Sequence, residues 1–193
     1  DIAVSNEIRV LKKKYNLEIL FFDNKVFKGL IFNIIFIFKN KNYKSTSLLK
    51  NAINTFSPDL IYIHNSWFKA SNSIFSECDA YNIPIVVKLH NFRYFCTRSY
   101  WVKDHIPLTK SHCKACYMYR GQYQLFNKYF SNSLLKSIMV TRFGKKYFNI
   151  LSKFNFYIFV LTNFHKQFLI KLGINSDRII VNYNPVEINS ETQ

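Results

Sequence analysis

The sequence predicts an α/β fold, a Rossmann-like parallel sheet covered by helices on both faces. Short β-branched apolar runs alternate with stretches of helical periodicity, which is the pattern of βαβ units. The apolar runs are continuous rather than alternating, as in strands buried on both faces. The stretch Pro58–Arg93 shows the unit most clearly, because it reads as strand, loop, helix, strand and loop.

Upstream of Pro58 we predict three helices and one strand. The helices are Asp1–Lys14, Lys25–Lys41 and Ser45–Phe56, and the first of them ends in three lysines. The strand is Leu17–Phe22. The chain therefore begins on a helix before it enters the sheet. Since an α/β domain usually opens with a strand, we expect an initial strand and its loop to be missing.

The rest of the chain continues the alternation. Leu60–Ile63 and Ile85–Leu89 are strands joined by the helix Ala70–Tyr81, whose apolar face includes Cys78. An irregular stretch follows and runs to about Gly121. After it we predict a mostly helical region, Gln122–Phe154, and a strand, Tyr157–Leu161. The last two elements are a helix that Gly173 closes, Asn163–Leu172, and a strand, Ile179–Val181. Without a Gly-x-Gly-x-x-Gly pattern, the sequence lacks the dinucleotide-binding fingerprint.

Charge and composition favour an anionic partner. The 193 residues carry a formal net charge of +16, and 49% are hydrophobic, which suffices for the core of one domain. Such a charge favours nucleic acid, acidic lipid headgroups or phosphorylated substrates, and the alternative is a generally basic, solvated surface.

No segment of the sequence predicts a secretory signal or a membrane span. The first residues are acidic and polar, and the apolar run Gly29–Phe38 is shorter than the ~20 residues that a spanning helix needs. That run is either a buried helix or an interfacial helix at a membrane surface. We expect a cytoplasmic protein, peripheral at most on the inner face of the membrane.

Two histidines are the leading candidates for a site. His64-Asn65 and His90-Asn91 each follow one strand of the βαβ unit. The carboxyl ends of parallel strands share one edge of the sheet, which is where ligands bind in α/β folds. We therefore expect the two imidazoles to converge there. Asn65 and Asn91 either bind substrate hydroxyls or cap the following loops.

Further polar residues at the same edge suit an anionic group. Arg93 follows His90 in a loop, and an arginine fork suits phosphate, although a solvated loop charge is the alternative. Thr162 and Asn163 precede a helix whose amino terminus can receive an anion or is capped in the ordinary way. Lys166 lies one turn into that helix.

Three of the four cysteines lie in the long irregular stretch. Cys96, Cys113 and Cys116, with His112 or His105 beside them, form a set that suits a structural Cys₃His zinc site. A single CxxC is a weak signal, so unbound thiols remain the alternative. Four cysteines in a cytosolic-looking chain argue against a disulfide scaffold. Cys78 is expected in the core.

Three segments together resemble a known family. PDLIYIHNSWF, IPIVVKLHNFRYFC and FVLTNFHKQFLIKLGINSDRIIVNYNPVE resemble, in order and spacing, the amino-terminal domain of family 4 glycosyltransferases of the GT-B fold. The resemblance implies one half of a GT-B fold over residues 1–187, without its first strand. Residues 188–193 would then begin the linker to an absent donor-binding domain.

The resemblance also implies an activity. Such a retaining enzyme transfers a sugar from a nucleotide-sugar donor to a glycan or polyprenyl-linked acceptor, without a cofactor needed for catalysis. In that family the amino-terminal domain binds mainly the acceptor. The resemblance makes His90, at the cleft near the sugar, the catalytic candidate, and it implies that His64, Asn184 and the polar residues named above bind substrate. Family members often carry a Cys and then a Cys-x-x-Cys in the loop that holds Cys96, Cys113 and Cys116.

Two alternatives stay open. A basic protein with a Cys-rich loop and many aromatics is compatible with RNA or single-stranded DNA binding. Because the basic residues are scattered and no nucleic-acid motif is present, we do not expect nucleic acid to be the partner. The other alternative is a truncated copy that folds without catalysing a reaction.

Overall fold

A parallel sheet of four strands forms the centre of the fold. The structure is a computed structural model that describes residues 2–22, 42–64, 70–92, 94 and 134–185. In these residues the strands pair in sequence order, β1-β2-β3-β4, and all three pairs are parallel. The strands are Ile61–His64, Ile85–Leu89, Tyr157–Val160 and Ile179–Val181. The predicted fold class is confirmed.

Five helices are described around this sheet. They are α1 (Ile2–Lys12), α2 (Tyr43–Phe56), α3 (Ser73–Ala80), α4 (Leu134–Lys153) and α5 (Asn163–Lys171), and a short 3-10 turn, Ser176–Arg178, precedes β4. Where a predicted helix falls within the described residues, its observed ends agree with the predicted ends to within a few residues. The predicted helix Lys25–Lys41 and the region 122–133 lie outside the described residues.

Local chemistry explains where two of these helices begin or end. Asn42 caps α2, because its side-chain oxygen accepts hydrogen bonds from the backbone N–H groups of Lys44 and Ser45 at 3.2 and 3.3 Å. The chain leaves α5 through Gly173, whose φ of 89° falls in the left-handed region that glycine tolerates best. The predicted glycine closure is therefore confirmed.

One face of the sheet carries the hydrophobic core. The alternation of strand residues sends Ile63, Val87 and Ile158 to this face, where they pack with apolar residues of α2 to α5. Phe75, Cys78 and Leu151 are fully buried there. The prediction that Cys78 is a core residue is confirmed, and burial raises the pKa of its thiol to about 12.

The opposite face of the sheet is partly polar. Tyr62, His64 and Lys88 alternate with the core residues along β1 and β2, so they point away from the core. Helix α1 lies against this face through Glu7, which contacts all three side chains. Helices therefore lie on both faces of the sheet, as predicted.

The prediction of a strand at Leu17–Phe22 is wrong. No described backbone hydrogen bond joins residues 17–22 to β1, and Phe21 is 76% exposed. A strand requires a ladder of such bonds, and here a groove of about 240 Å³ separates the segment from β1. Leu17, Leu20 and Phe22 line that groove, so the apolar character of the segment reflects packing without pairing.

Replacing Arg178 should weaken the junction between α4 and β4. Its guanidinium donates to the carbonyls of Leu151 at 2.9 Å, Phe156 at 3.1 Å and Ser152 at 3.4 Å. We expect Arg178→Ala to lower the free energy of unfolding by about 2 kcal/mol, because hydrogen bonds with charged groups contribute roughly 1.5–3 kcal/mol and this half-buried side chain keeps part of its contact with water in the folded state. Urea denaturation measures the change.

Arg178→Lys is the matched variant for that experiment. It keeps the charge but lacks the planar fork that reaches three carbonyls, so it should recover less than half of the loss. Lys171→Ala, an exposed change at the end of α5, should leave the urea midpoint unchanged. If Arg178→Ala behaves like Lys171→Ala, the three carbonyl contacts do not stabilise the junction.

Candidate functional site

The two predicted histidines meet at the carboxyl edge of the sheet. His64 is the last residue of β1 and His90 directly follows β2, and His64 pairs in register with Lys88. His64 Nδ1 lies 3.0 Å from His90 Nε2, within hydrogen-bond distance. Both side chains are half-buried, so neither is sealed in the interior. The prediction that the imidazoles converge on one edge is confirmed.

A glutamate from α1 completes the centre of this cluster. The Glu7 carboxylate accepts hydrogen bonds from Lys88 Nζ at 2.8 and 3.0 Å and from the Tyr62 hydroxyl at 2.7 Å. Its Oε2 atom lies 4.0 Å from His64 Nε2. We call Glu7, Tyr62, His64, Lys88, His90 and Asn182 the edge cluster.

Lys88 links the two sides of the edge cluster. Its side chain is fully buried, and Nζ also donates to Asn182 Oδ1 at 2.8 Å. Asn182 directly follows β4, and its backbone N–H donates to Val160 at the end of β3. Because all three ammonium contacts are filled by oxygens, the buried charge is compensated.

The electrostatic environment keeps both imidazoles neutral at pH 7. Burial lowers the pKa of His64 to about 4. The Glu7 carboxylate acts to raise this pKa, whereas His90 and Lys88 lower it further. Burial and then the Lys88 charge lower the pKa of His90, again against Glu7. Burial and the bond to Glu7 raise the pKa of Tyr62, so its phenol stays protonated. The site thus offers neutral nitrogens beside a compensated ion pair.

The other predicted residues that the structure describes follow β2, β3 and β4 at the same edge. Thr162 is the N-cap of α5, since its hydroxyl oxygen accepts the His165 N–H at 3.1 Å, so the capping alternative is correct for it. Asn163 is exposed, and Lys166 and Asn91 are half-buried. Asn184 holds its Oδ1 atom buried, without a hydrogen-bond partner in the described part of the chain.

The remaining predicted residues lie outside the described residues. They are Asn65, Arg93, Cys96, His112, Cys113 and Cys116. Within residues 2–22, 42–64, 70–92, 94 and 134–185, no group of three or more His, Cys, Asp or Glu side chains is placed to hold a metal ion. A structural zinc in the Cys-rich stretch therefore stays a prediction.

Sequence reasoning missed the groups that surround the histidines. Lys88 interrupts an otherwise apolar strand, and a lysine in a buried strand requires a charged or polar partner, so this residue carried a usable signal. Glu7 and Asn182 carried none, because each lies more than eighty positions from Lys88 along the chain.

No protein-family model, curated protein or solved structure matches this chain. Among the described helices, none combines the length and the apolar character that crossing a bilayer demands.

Proposed function

We propose that this chain is the acceptor-side domain of a retaining GT-B glycosyltransferase. The pair of neutral imidazoles at the carboxyl edge of a parallel sheet carries the proposal. Ligands of open α/β sheets bind at this edge, and the motifs that place the histidines there are those that resemble the glycosyltransferase family. The reaction is transfer of a sugar from a nucleotide-sugar donor to a glycan or polyprenyl-linked acceptor.

In this proposal His90 contacts the reacting sugar and His64 supports it from β1. Catalysis consists of positioning the two substrates and stabilising charge as the donor diphosphate leaves. The unpartnered Asn184 Oδ1 atom supplies an acceptor for a substrate hydroxyl. Lys166, in the first turn of α5, adds positive charge at the same edge. Most contacts to the donor phosphates belong to a carboxy-terminal domain.

The charge of the chain suits the membrane setting of such an enzyme. A net charge of +16 attracts an anionic cytoplasmic leaflet, where a polyprenyl-linked acceptor would be presented. We propose peripheral attachment to that surface.

A glycan-binding experiment tests the proposal. The purified chain, applied to an array of bacterial and eukaryotic glycans, should bind a restricted set of them. His90→Ala should weaken that binding at least tenfold, because it removes the group nearest the sugar, a loss of about 1.4 kcal/mol. Circular dichroism checks that the variant remains folded.

Lys171→Ala is the control, because it removes an exposed side chain at the far end of α5 from the edge cluster. It should bind glycans as the unmodified chain does. Equal binding by His90→Ala, or binding to no glycan at all, contradicts the proposal. A salt-sensitive shift of an oligonucleotide in a gel, without glycan binding, would favour the nucleic-acid alternative.

A further inference from the structure

We propose that Glu7 is a positioning residue that fixes the proton of His64 on Nε2, so that His90 presents a hydrogen-bond acceptor to a sugar hydroxyl rather than a donor to a phosphate. This inference rests on the proposed function for its ligand, but the proton arrangement itself follows from the edge cluster. Glu7 touches neither substrate nor reacting atoms in this scheme, and it acts through His64.

The first step is the contact between the two rings. A neutral imidazole has one N–H and one lone pair. At 3.0 Å, His64 Nδ1 and His90 Nε2 form one hydrogen bond, so one atom carries the proton and the other accepts it. Two arrangements are possible, and they differ in which nitrogen of His64 is protonated.

The second step is the field of the carboxylate. Glu7 Oε2 lies 4.0 Å from His64 Nε2, the nitrogen that does not face His90. A proton on Nε2 points positive charge at the carboxylate, whereas a lone pair there would face it. Lys88 shares the carboxylate and weakens this preference without changing its direction. His64 is therefore the Nε2–H tautomer, and its Nδ1 atom accepts.

The third step is the consequence for His90. Since His64 Nδ1 accepts, His90 Nε2 donates, and His90 Nδ1 keeps its lone pair. Within the described residues no hydrogen bond is made by that atom. A lone pair pairs with a hydroxyl proton, while an ionised phosphate oxygen has no proton to offer. The group that His90 Nδ1 binds at neutral pH is thus a hydrogen-bond donor, which among the substrates of the proposed function is a sugar hydroxyl.

Nitrogen NMR of the chain labelled with ¹⁵N-histidine tests the proton arrangement without any ligand. We expect Nε2–H signals for both His64 and His90. In Glu7→Gln the ratio of the two His64 tautomers should shift by about tenfold toward Nδ1–H, since the charge at 4.0 Å is removed. Finding His64 protonated on Nδ1 in the unmodified chain would overturn the inference outright.

Tyr62→Phe is the matched control. It removes the hydrogen bond to Glu7 Oε1 and leaves Oε2, the atom near His64, in place. The tautomers should stay as in the unmodified chain. If Tyr62→Phe shifts them as much as Glu7→Gln does, general disturbance of the cluster is responsible, and the positioning role of Glu7 is wrong.

Two probes at pH 7.5 test the ligand class. Methyl glycosides of glucose, mannose and N-acetylglucosamine are added in turn, and dimethyl phosphate, an ionised phosphate without a P–OH group, is added separately. At least one glycoside should move the His90 Nδ1 resonance, and phosphate should not. A response to phosphate alone overturns the inference. With the expected tautomers but no response to any glycoside, the proton arrangement stands and the proposed function fails.

Discussion

Lys88→Met is expected to lower the free energy of unfolding by about 3–5 kcal/mol, the cost of leaving one partner of a buried ion pair unpaired. The lysine side chain is fully buried, and its ammonium group contacts both oxygens of Glu7 and the Asn182 side chain. Methionine fills nearly the same volume, so packing is conserved and the loss is electrostatic. Urea denaturation monitored by circular dichroism measures it.

The double variant Lys88→Met with Glu7→Gln separates the ion pair from the packing. Because it removes both charges, we expect it to be more stable than Lys88→Met alone. The pair between Lys50 and Glu77 at 2.9 Å is the matched control, since it joins the same residue types at the surface. Lys50→Met should leave the urea midpoint nearly unchanged. Equal effects of Lys88→Met and Lys50→Met would contradict the prediction.

Acid is expected to unfold the protein between pH 6.5 and about 4. The folded-state pKa values of His64 and His165 are both about 4, mainly because burial disfavours the imidazolium form. In the unfolded chain these side chains titrate near 6.5. Below that pH the unfolded state binds more protons, so stability is complete above pH 6.5 and is lost as the pH falls. Each histidine contributes roughly 3 kcal/mol over the full range.

The two histidines have different neighbours, so each is expected to contribute independently to the pH dependence of stability. His165 is 3% exposed and lies against Phe92 and Tyr94, whose hydroxyl is 2.8 Å from its Nε2 atom. His64 faces Glu7, Tyr62, Lys88 and His90. Urea denaturation at several pH values from 7.5 to 4.5 should show a rising proton uptake on unfolding. His165→Gln should reduce that uptake by about one proton. Constant stability over this range would refute the assignment.

The fold was predictable from the sequence because its strands and helices are locally consistent. The apolar runs of β2 and β4 match the described strands residue for residue. The strand predicted at residues 17–22 was wrong, because an apolar stretch next to a sheet has the same composition whether it pairs with an edge strand or only packs beside one. Pairing depends on backbone hydrogen bonds, which the side-chain pattern does not specify.

The site was predictable in part for a related reason. The rule that parallel strands end at one edge places His64 beside His90 without any knowledge of their distance. No such rule connects α1 to the sheet, so Glu7 was not predicted to reach Lys88 across 81 positions. For Thr162 the sequence allowed both an anion site and a helix cap, and the contact with the His165 N–H shows that it caps α5.

The reach of Lys88 bears on how the protein is made. Its ammonium group joins Glu7, 81 positions earlier, to Asn182, 94 positions later. During synthesis on the ribosome, the contact between Glu7 and Lys88 therefore forms only after the second strand has emerged. The contact between Lys88 and Asn182 forms later still, after the fourth strand has emerged. The edge cluster is therefore complete only after the fourth strand of the sheet has been synthesised.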